Sequence, residues 1–286
     1  MDDELTPRTR LVTMLVVVVP IAVAATILAA WMGRLDTALF FVGVPCLMAF
    51  VIGILPGRTS AGAVFQVVTV ALLLVSAFLH EGALCVLLVS PLVYGMAFTV
   101  YGLARLAEQA DKRRYGLGAL LVLVALEGAT PGMRVSPQHE VDAERIVAAD
   151  CADFEASLAR GPRIDQEADR GWLLRVAQYP TPTTATGAGL DLGDTWELGM
   201  PAGTITTEVV ERAERRIVFD VTADGARTTR WVTLQQGTLT WEQADEGCRA
   251  DLSLSFVRDL DPAFWFGPLA ELFMGAGAEA FLASLD

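Results

Sequence analysis

The sequence predicts an α+β chain in two parts: a membrane helical region of about five spans, then a curved antiparallel sheet closed by a long C-terminal helix. Three observations predict it. Uncharged apolar runs of membrane-crossing length fill most of the first 132 residues. Period-2 alternation dominates from about residue 140 to 260, and a three-and-four period takes over from Asp261 to Leu285.

Charge divides the chain at the same place. Residues 1–132 hold eight Lys/Arg and eight Asp/Glu, so the net charge of −13 belongs to residues 133–286. An acidic module repels phosphate backbones, which argues against a nucleic-acid partner. The acidity fits either a solvated surface or attraction for a cationic ligand.

In the first part, Leu11 to Met32 is uncharged over 22 residues, enough for a hydrocarbon core of about 30 Å. Further runs cover 38–55, 61–79, 83–101 and 115–129, so the first is not a cleaved leader. The last is short and contains Glu127; it reads as a tilted span or an interfacial helix. Arg105, Lys112, Arg113 and Arg114 form the strongest basic loop and orient it to the cytoplasm; only Arg34 opposes that orientation. The expected location is the cell membrane, multi-pass, with a cytoplasmic N-terminus. Five spans put the C-terminal domain outside the cytoplasm; four leave it inside. Glu127 is the one charge within a run and lies near its end, so an anchor or bundle is expected rather than a transport path. The bilayer is then one partner.

In the second part, Thr130-Pro131-Gly132 is a linker and 133–286 a separate domain. A strand is expected over Glu140–Ala149. Asp150 then caps a helix with Phe154 and Leu158 on one face, and a second short helix covers Asp165–Arg170. Gly171–Arg175 reads as extended and Tyr179–Asp194 as a loop. A meander follows, with Trp196, Leu198 and Met200 on one face, then Ile205 and Val209, then Ile217, Phe219 and Val221. Asp224-Gly225 signals a hairpin, Gly237 a bulge, and 245–247 a turn. Leu252, Leu254 and Phe256 point inward on the last strand. In the closing stretch Asp261 suits an N-cap and Pro262 the first helical position. The expected buried face is Trp265, Leu269, Leu272, Phe273, Ala276, Ala280 and Phe281, with Pro268 kinking or restarting the helix.

Three stretches together resemble the START-like helix-grip superfamily, also called SRPBCC or polyketide cyclase/dehydrase and lipid-transport-like. They are the strand entering a short helix (V-D-A-E-R-I-V-A-A-D-C-A-D-F-E-A-S-L), the strand start G-D-T-W at Gly193–Trp196, and L-D-P-A-F-W-F-G-P at Leu260–Pro268. The last is the most specific. The resemblance covers about half the chain and implies a deep apolar cavity between sheet and closing helix, for a lipid, sterol or polyketide. Alternation would place Trp196, Met200, Phe219, Trp231, Leu254, Phe256, Phe266 and Phe273 on its wall, unless these side chains simply fill a core. In such a sheet the first and last strands pair antiparallel, which brings Cys151 and Cys248 together; they are either a disulfide or two free thiols. A bridge would suit an oxidising compartment.

The resemblance carries over no catalytic residue, because the superfamily has no universal catalytic motif. Direct inspection adds none. The two histidines, His80 and His139, are far apart; no His/Cys/carboxylate set has metal-ligand spacing; and no phosphate loop, dinucleotide fingerprint or nucleophile elbow occurs. No cofactor and no metal are expected. Arg175 and Gln178 flank the expected cavity and could orient a polar group. Membrane-anchored binding of a hydrophobic small molecule is therefore the leading reading. A polyketide cyclase or aromatase, and a sensor module coupled to the spans, are the alternatives.

Overall fold

The computed structural model describes residues 61–79, 83–107 and 124–285, apart from 162, 166, 167, 178 and 202, with short pieces of helix between 16 and 31. It divides into two compact units, Met1–Val135 and Ser136–Asp286.

In the first unit, α1 (Ala61–Leu79) and α2 (Ala83–Ala107) pack through Val64, Val67, Val68, Ala71, Val93 and Ala97. Phe65 stacks on Tyr94 at 5.0 Å, and the Tyr94 hydroxyl lies 2.6 Å from Thr69 Oγ1. The α1 sequence contains no charged residue. Among the described residues, no helix is long and apolar enough to cross a membrane. The expected run at 38–55 and most of those at 11–32 and 115–129 also lie outside the described residues, as do His80, Lys112, Arg113 and Arg114. Glu127 sits in a turn, its N–H donating to Val124 O at 3.2 Å.

The second unit is a seven-stranded antiparallel sheet in the order β1-β7-β6-β5-β4-β3-β2. Its strands are β1 (Gln138–Val147), β2 (Thr184–Gly187), β3 (Thr195–Met200), β4 (Gly203–Ala213), β5 (Arg216–Asp224), β6 (Val232–Ala244) and β7 (Gly247–Arg258). Between β1 and β2 lie α3 (Cys151–Ala159) and α4 (Gly171–Ala177); α5 (Ala263–Ala283) closes the chain. A long helix laid over one face of a curved meander is the helix-grip arrangement. The alternation legible in the sequence sends Trp196, Val209, Ile217, Phe219, Leu239 and Leu252 into one core with Ala278 and Leu282 of α5. Bulges at Thr222 on β5, opposite Thr206/Thr207, at Val210 on β4 and between Leu234 and Gln236 on β6 interrupt the ladders. Such interruptions bend a sheet around a helix.

Several local expectations are corrected. None of the described residues within 165–170 is helical; a helix, α4, lies over the stretch read as extended. The Asp169 carboxylate accepts the Gly171 N–H at 2.9 Å and pairs with Arg175 at 3.0 Å, one helical turn along. That side-chain acceptor starts the helix. The loop before β3 contains an additional edge strand, β2, paired from Gly187↔Trp196 to Thr184↔Gly199. Asp224-Gly225 is not a tight hairpin. Asp224 Oδ1 accepts the Ala226 N–H at 2.9 Å and Gly225 N–H donates to Thr204 O at 2.8 Å, so the chain turns toward β4. A 3₁₀ turn over Arg227–Arg230 follows before β6 begins. The β6 irregularity falls at Gln235; Gly237 pairs regularly with Phe219 and Leu254.

The closing helix also differs in detail. Asp261 does not cap it; the N-cap residue is Pro262, without a side-chain bond, and Asp261 is buried against Arg258. The helix runs unbroken through Pro268. Its buried face is Phe266, Met274, Ala278 and Leu282, whereas Leu272 is 52% exposed. Trp265, Leu269, Phe273 and Ala276 are half-buried. The helix is apolar nearly all round, so period alone could not set its phase; its two acids, Glu271 and Glu279, mark the wet side.

Candidate functional site

A cavity of about 140 Å³, partly open to solvent, lies between the sheet's inner face and α5. Its floor comes from β3 to β7: Trp196, Leu198, Met200, Ile205, Phe219, Val221, Leu239, Leu252 and Leu254. Met274, Gly277 and Phe281 of α5 roof it, and the segment Tyr179–Pro182 forms a side wall. β5 and β6 pair only from Arg216↔Thr240 to Asp220↔Gln236. Beyond that point their ends carry Val221, Asp224, Val232 and Leu234 onto the wall.

Of the eight residues expected on the wall, Trp196, Met200, Phe219 and Leu254 are there. Trp196 is held by its indole N–H, which donates to Gly189 O at 3.1 Å, and by Phe219 at 4.7 Å between centroids. In the G-D-T-W stretch, Asp194 Oδ2 accepts the Asp191 N–H at 2.8 Å, which closes the loop before that tryptophan.

Trp231, Phe256, Phe266 and Phe273 do not line the cavity. Phe256 packs with Val232 and Met274 in a second cluster, and Phe266 is buried in the first turn of α5. Trp231 and Phe273 instead flank Tyr179, at 6.4 and 5.6 Å between centroids. Simple alternation placed them one layer too far inward. The residue they hold, Tyr179, is the wall residue that sequence reasoning missed. It sits in a Y-P-T-P stretch read as plain loop, and an isolated aromatic between a helix and a proline pair was its only signal.

The wall's polar groups are few. Tyr179 donates its hydroxyl to Met274 Sδ at 3.3 Å, a weak acceptor. Burial, with the nearby Asp224 charge, pushes the phenol well above its ordinary range. Burial also raises the Asp224 carboxyl, partly offset by the Ala226 N–H. Thr207 Oγ1 reaches Trp196 O at 3.5 Å, and Thr181 Oγ1 is buried with no hydrogen-bond partner among the described residues.

Arg175 is exposed, engages Asp169 and does not reach the cavity; Gln178 lies outside the described residues. His139 is no simple linker residue: its Nδ1 lies 2.8 Å from Glu271 Oε1 of α5, and its ring stacks on Phe256 at 5.7 Å. Among the described residues, no three His, Cys, Asp or Glu are grouped to hold a metal.

Cys151 and Cys248 are joined by a disulfide with Cα atoms 4.8 Å apart. The register Val147↔Cys248 at the β1–β7 end brings the first turn of α3 over β7, and Cys151 N–H donates to Gln243 Oε1 at 3.1 Å.

No protein-family model and no curated relative matches the chain. Solved structures do. Norcoclaurine synthase from Thalictrum flavum, in complex with dopamine and hydroxybenzaldehyde, is 13% identical over 49% of this chain and 84% of its own, with a TM-score of 0.29. The major latex-like protein 151 from Panax ginseng is 8% identical over 53% and 100%, at 0.32. A Bacillus halodurans protein solved in solution is 11% identical over 50% and 91%, at 0.34. At such values nothing about ligand or activity transfers. The class, a helix-grip domain enclosing an apolar cavity, rests on this chain's own connectivity.

Proposed function

We propose that this chain is a membrane-attached binding protein for a hydrophobic small molecule, which its helix-grip domain holds between sheet and closing helix. The observation that carries the reading is the cavity itself, walled almost wholly by aliphatic and aromatic side chains. Close packing normally fills an interior, so an apolar cleft left unfilled on an intact sheet suits a guest. The attachment rests on the sequence: long charge-free runs precede the domain. The disulfide is consistent with an extracytoplasmic domain.

Tryptophan fluorescence tests the binding. Trp196 lies on the wall, so an apolar naphthylamine dye in the cavity of the full-length protein in amphipol should accept its excitation energy saturably. A Cβ at Gly237 would stand 3.3 Å from Leu254 Cδ2, so Gly237→Leu drives a side chain into the same space. That variant should bind the dye about tenfold more weakly or worse, equivalent to about 1.4 kcal/mol. Non-saturable transfer in the wild type would defeat the reading. For the attachment, a C-terminal tag reached by reagent outside intact cells is expected, and a protein released from membranes by high salt alone would refute it.

A further inference from the structure

The cavity is not uniformly apolar. Where the β5–β6 ladder ends, the Asp224 carboxylate and the Tyr179 hydroxyl share its wall, with Thr181 two residues from Tyr179. Asp224 uses Oδ1 to hold the Ala226 N–H and is half-buried. Tyr179 spends its proton on a thioether and keeps its oxygen lone pairs. Thr181 is 5% exposed with an unpartnered hydroxyl. Buried polar groups are normally paired, so the unpartnered Thr181 hydroxyl beside an apolar space is unusual. The set is also rigid, because Phe273, Trp231 and Met274 hold the tyrosine ring.

We propose that Asp224 and Tyr179 form the head-group subsite of this cavity, and that its ligand is an apolar molecule bearing one hydrogen-bond-donating head, a hydroxyl or an amine, rather than a carboxylate. The proposal rests on the binding role argued above and adds the ligand's chemistry to it. A hydroxyl gives its one proton to the carboxylate oxygen, and an ammonium has further protons for the phenol oxygen. An anionic head meets a like charge, which costs affinity. Neither residue makes or breaks a bond in this role; both orient and select.

The test is competition on the full-length protein in amphipol at neutral pH. Dodecanol, dodecylamine and dodecanoate each displace the naphthylamine dye, and chain length is constant, so only the head differs. The alcohol and the amine should half-displace it at concentrations about tenfold or more below the acid, the ratio of one charge-assisted hydrogen bond. Asp224→Asn should shrink that ratio to about threefold or less; Tyr179→Phe should weaken the amine more than the alcohol. Equal displacement by all three in the wild type overturns the subsite while leaving the cavity's binding role standing. Absence of dye binding overturns both. The wild-type ratio decides without any variant having to fold.

Discussion

Arg258 and Asp261 form a buried ion pair at the junction of β7 and α5, with side-chain exposures of 0% and 2%. The same Arg258 Nη1 also donates to Leu260 O, and the Arg258 backbone N–H donates to Pro137 O at 2.7 Å. The pair therefore joins the last strand, the entry to the closing helix and the approach to β1. Removing one partner strands the other charge in the interior. Arg258→Met or Asp261→Asn alone should cost about 3–5 kcal/mol, and the double apolar replacement Arg258→Met/Asp261→Leu should recover much of it. Urea unfolding followed by tryptophan emission measures this; single variants within about 0.5 kcal/mol of wild type would refute it.

The disulfide joins cysteines 97 positions apart and encloses the strands β2 to β6. Replacing Cys151 and Cys248 together by Ala should lower stability by about 2–5 kcal/mol. Thiol alkylation followed by intact mass gives the direct check. These two cysteines should take up label only after reduction, and equal labelling before and after would show two thiols.

Two glycines should respond in opposite directions. Gly203 opens β4 at φ 102°, and a Cβ there would collide with Gly225 O. Both the left-handed backbone and the collision oppose Gly203→Ala, with an expected loss of about 1–3 kcal/mol. Gly275 lies inside α5 with open space where its Cβ would be. Gly275→Ala should stabilise by about 0.5–1 kcal/mol through helix propensity. Thermal melts of the two variants would contradict this account if both moved the same way.

Asp251 faces outward on β7, where burial and the neighbouring Glu144, Glu242 and Asp142 raise its carboxyl, against the opposing Arg249. An acid raised in the folded state binds its proton more tightly there than in the unfolded chain. Its contribution to stability therefore falls as pH rises from the ordinary value of 3.8 through the raised folded one, then stays constant. Asp251→Asn abolishes that loss. The variant should match wild type near pH 3 and be the more stable at neutral pH. A stability difference independent of pH would rule out the ionisation as its source.

The sheet was legible because a half-buried strand must alternate, and Trp196, Ile217, Phe219, Leu252 and Leu254 all obey that rule. β2 was not: T-A-T-G has no buried residue and pairs along a single edge, so nothing in its side chains demanded a strand. α4 was missed for a related reason, since seven residues span two turns and its start depends on the side chain of Asp169. The hairpin at Asp224-Gly225 failed where the Asp224 side chain and Thr204 O redirected the chain toward β4.

By itself, then, the sequence determined the α+β class, the paired faces of the meander, the existence of the closing helix and four of the cavity's lining residues. Those are local matters of period and capping, readable within ten or twenty residues. The tertiary structure decided which face of α5 looks inward, that Asp261 is buried instead of capping, and that Trp231 and Phe273 hold Tyr179 rather than line the cavity. It also decided that Tyr179 and Asp224, on segments that show no mutual signal in the chain, face one space. Such encounters depend on how far the sheet curves and where the β5–β6 ladder stops, and neither is a property of any single stretch.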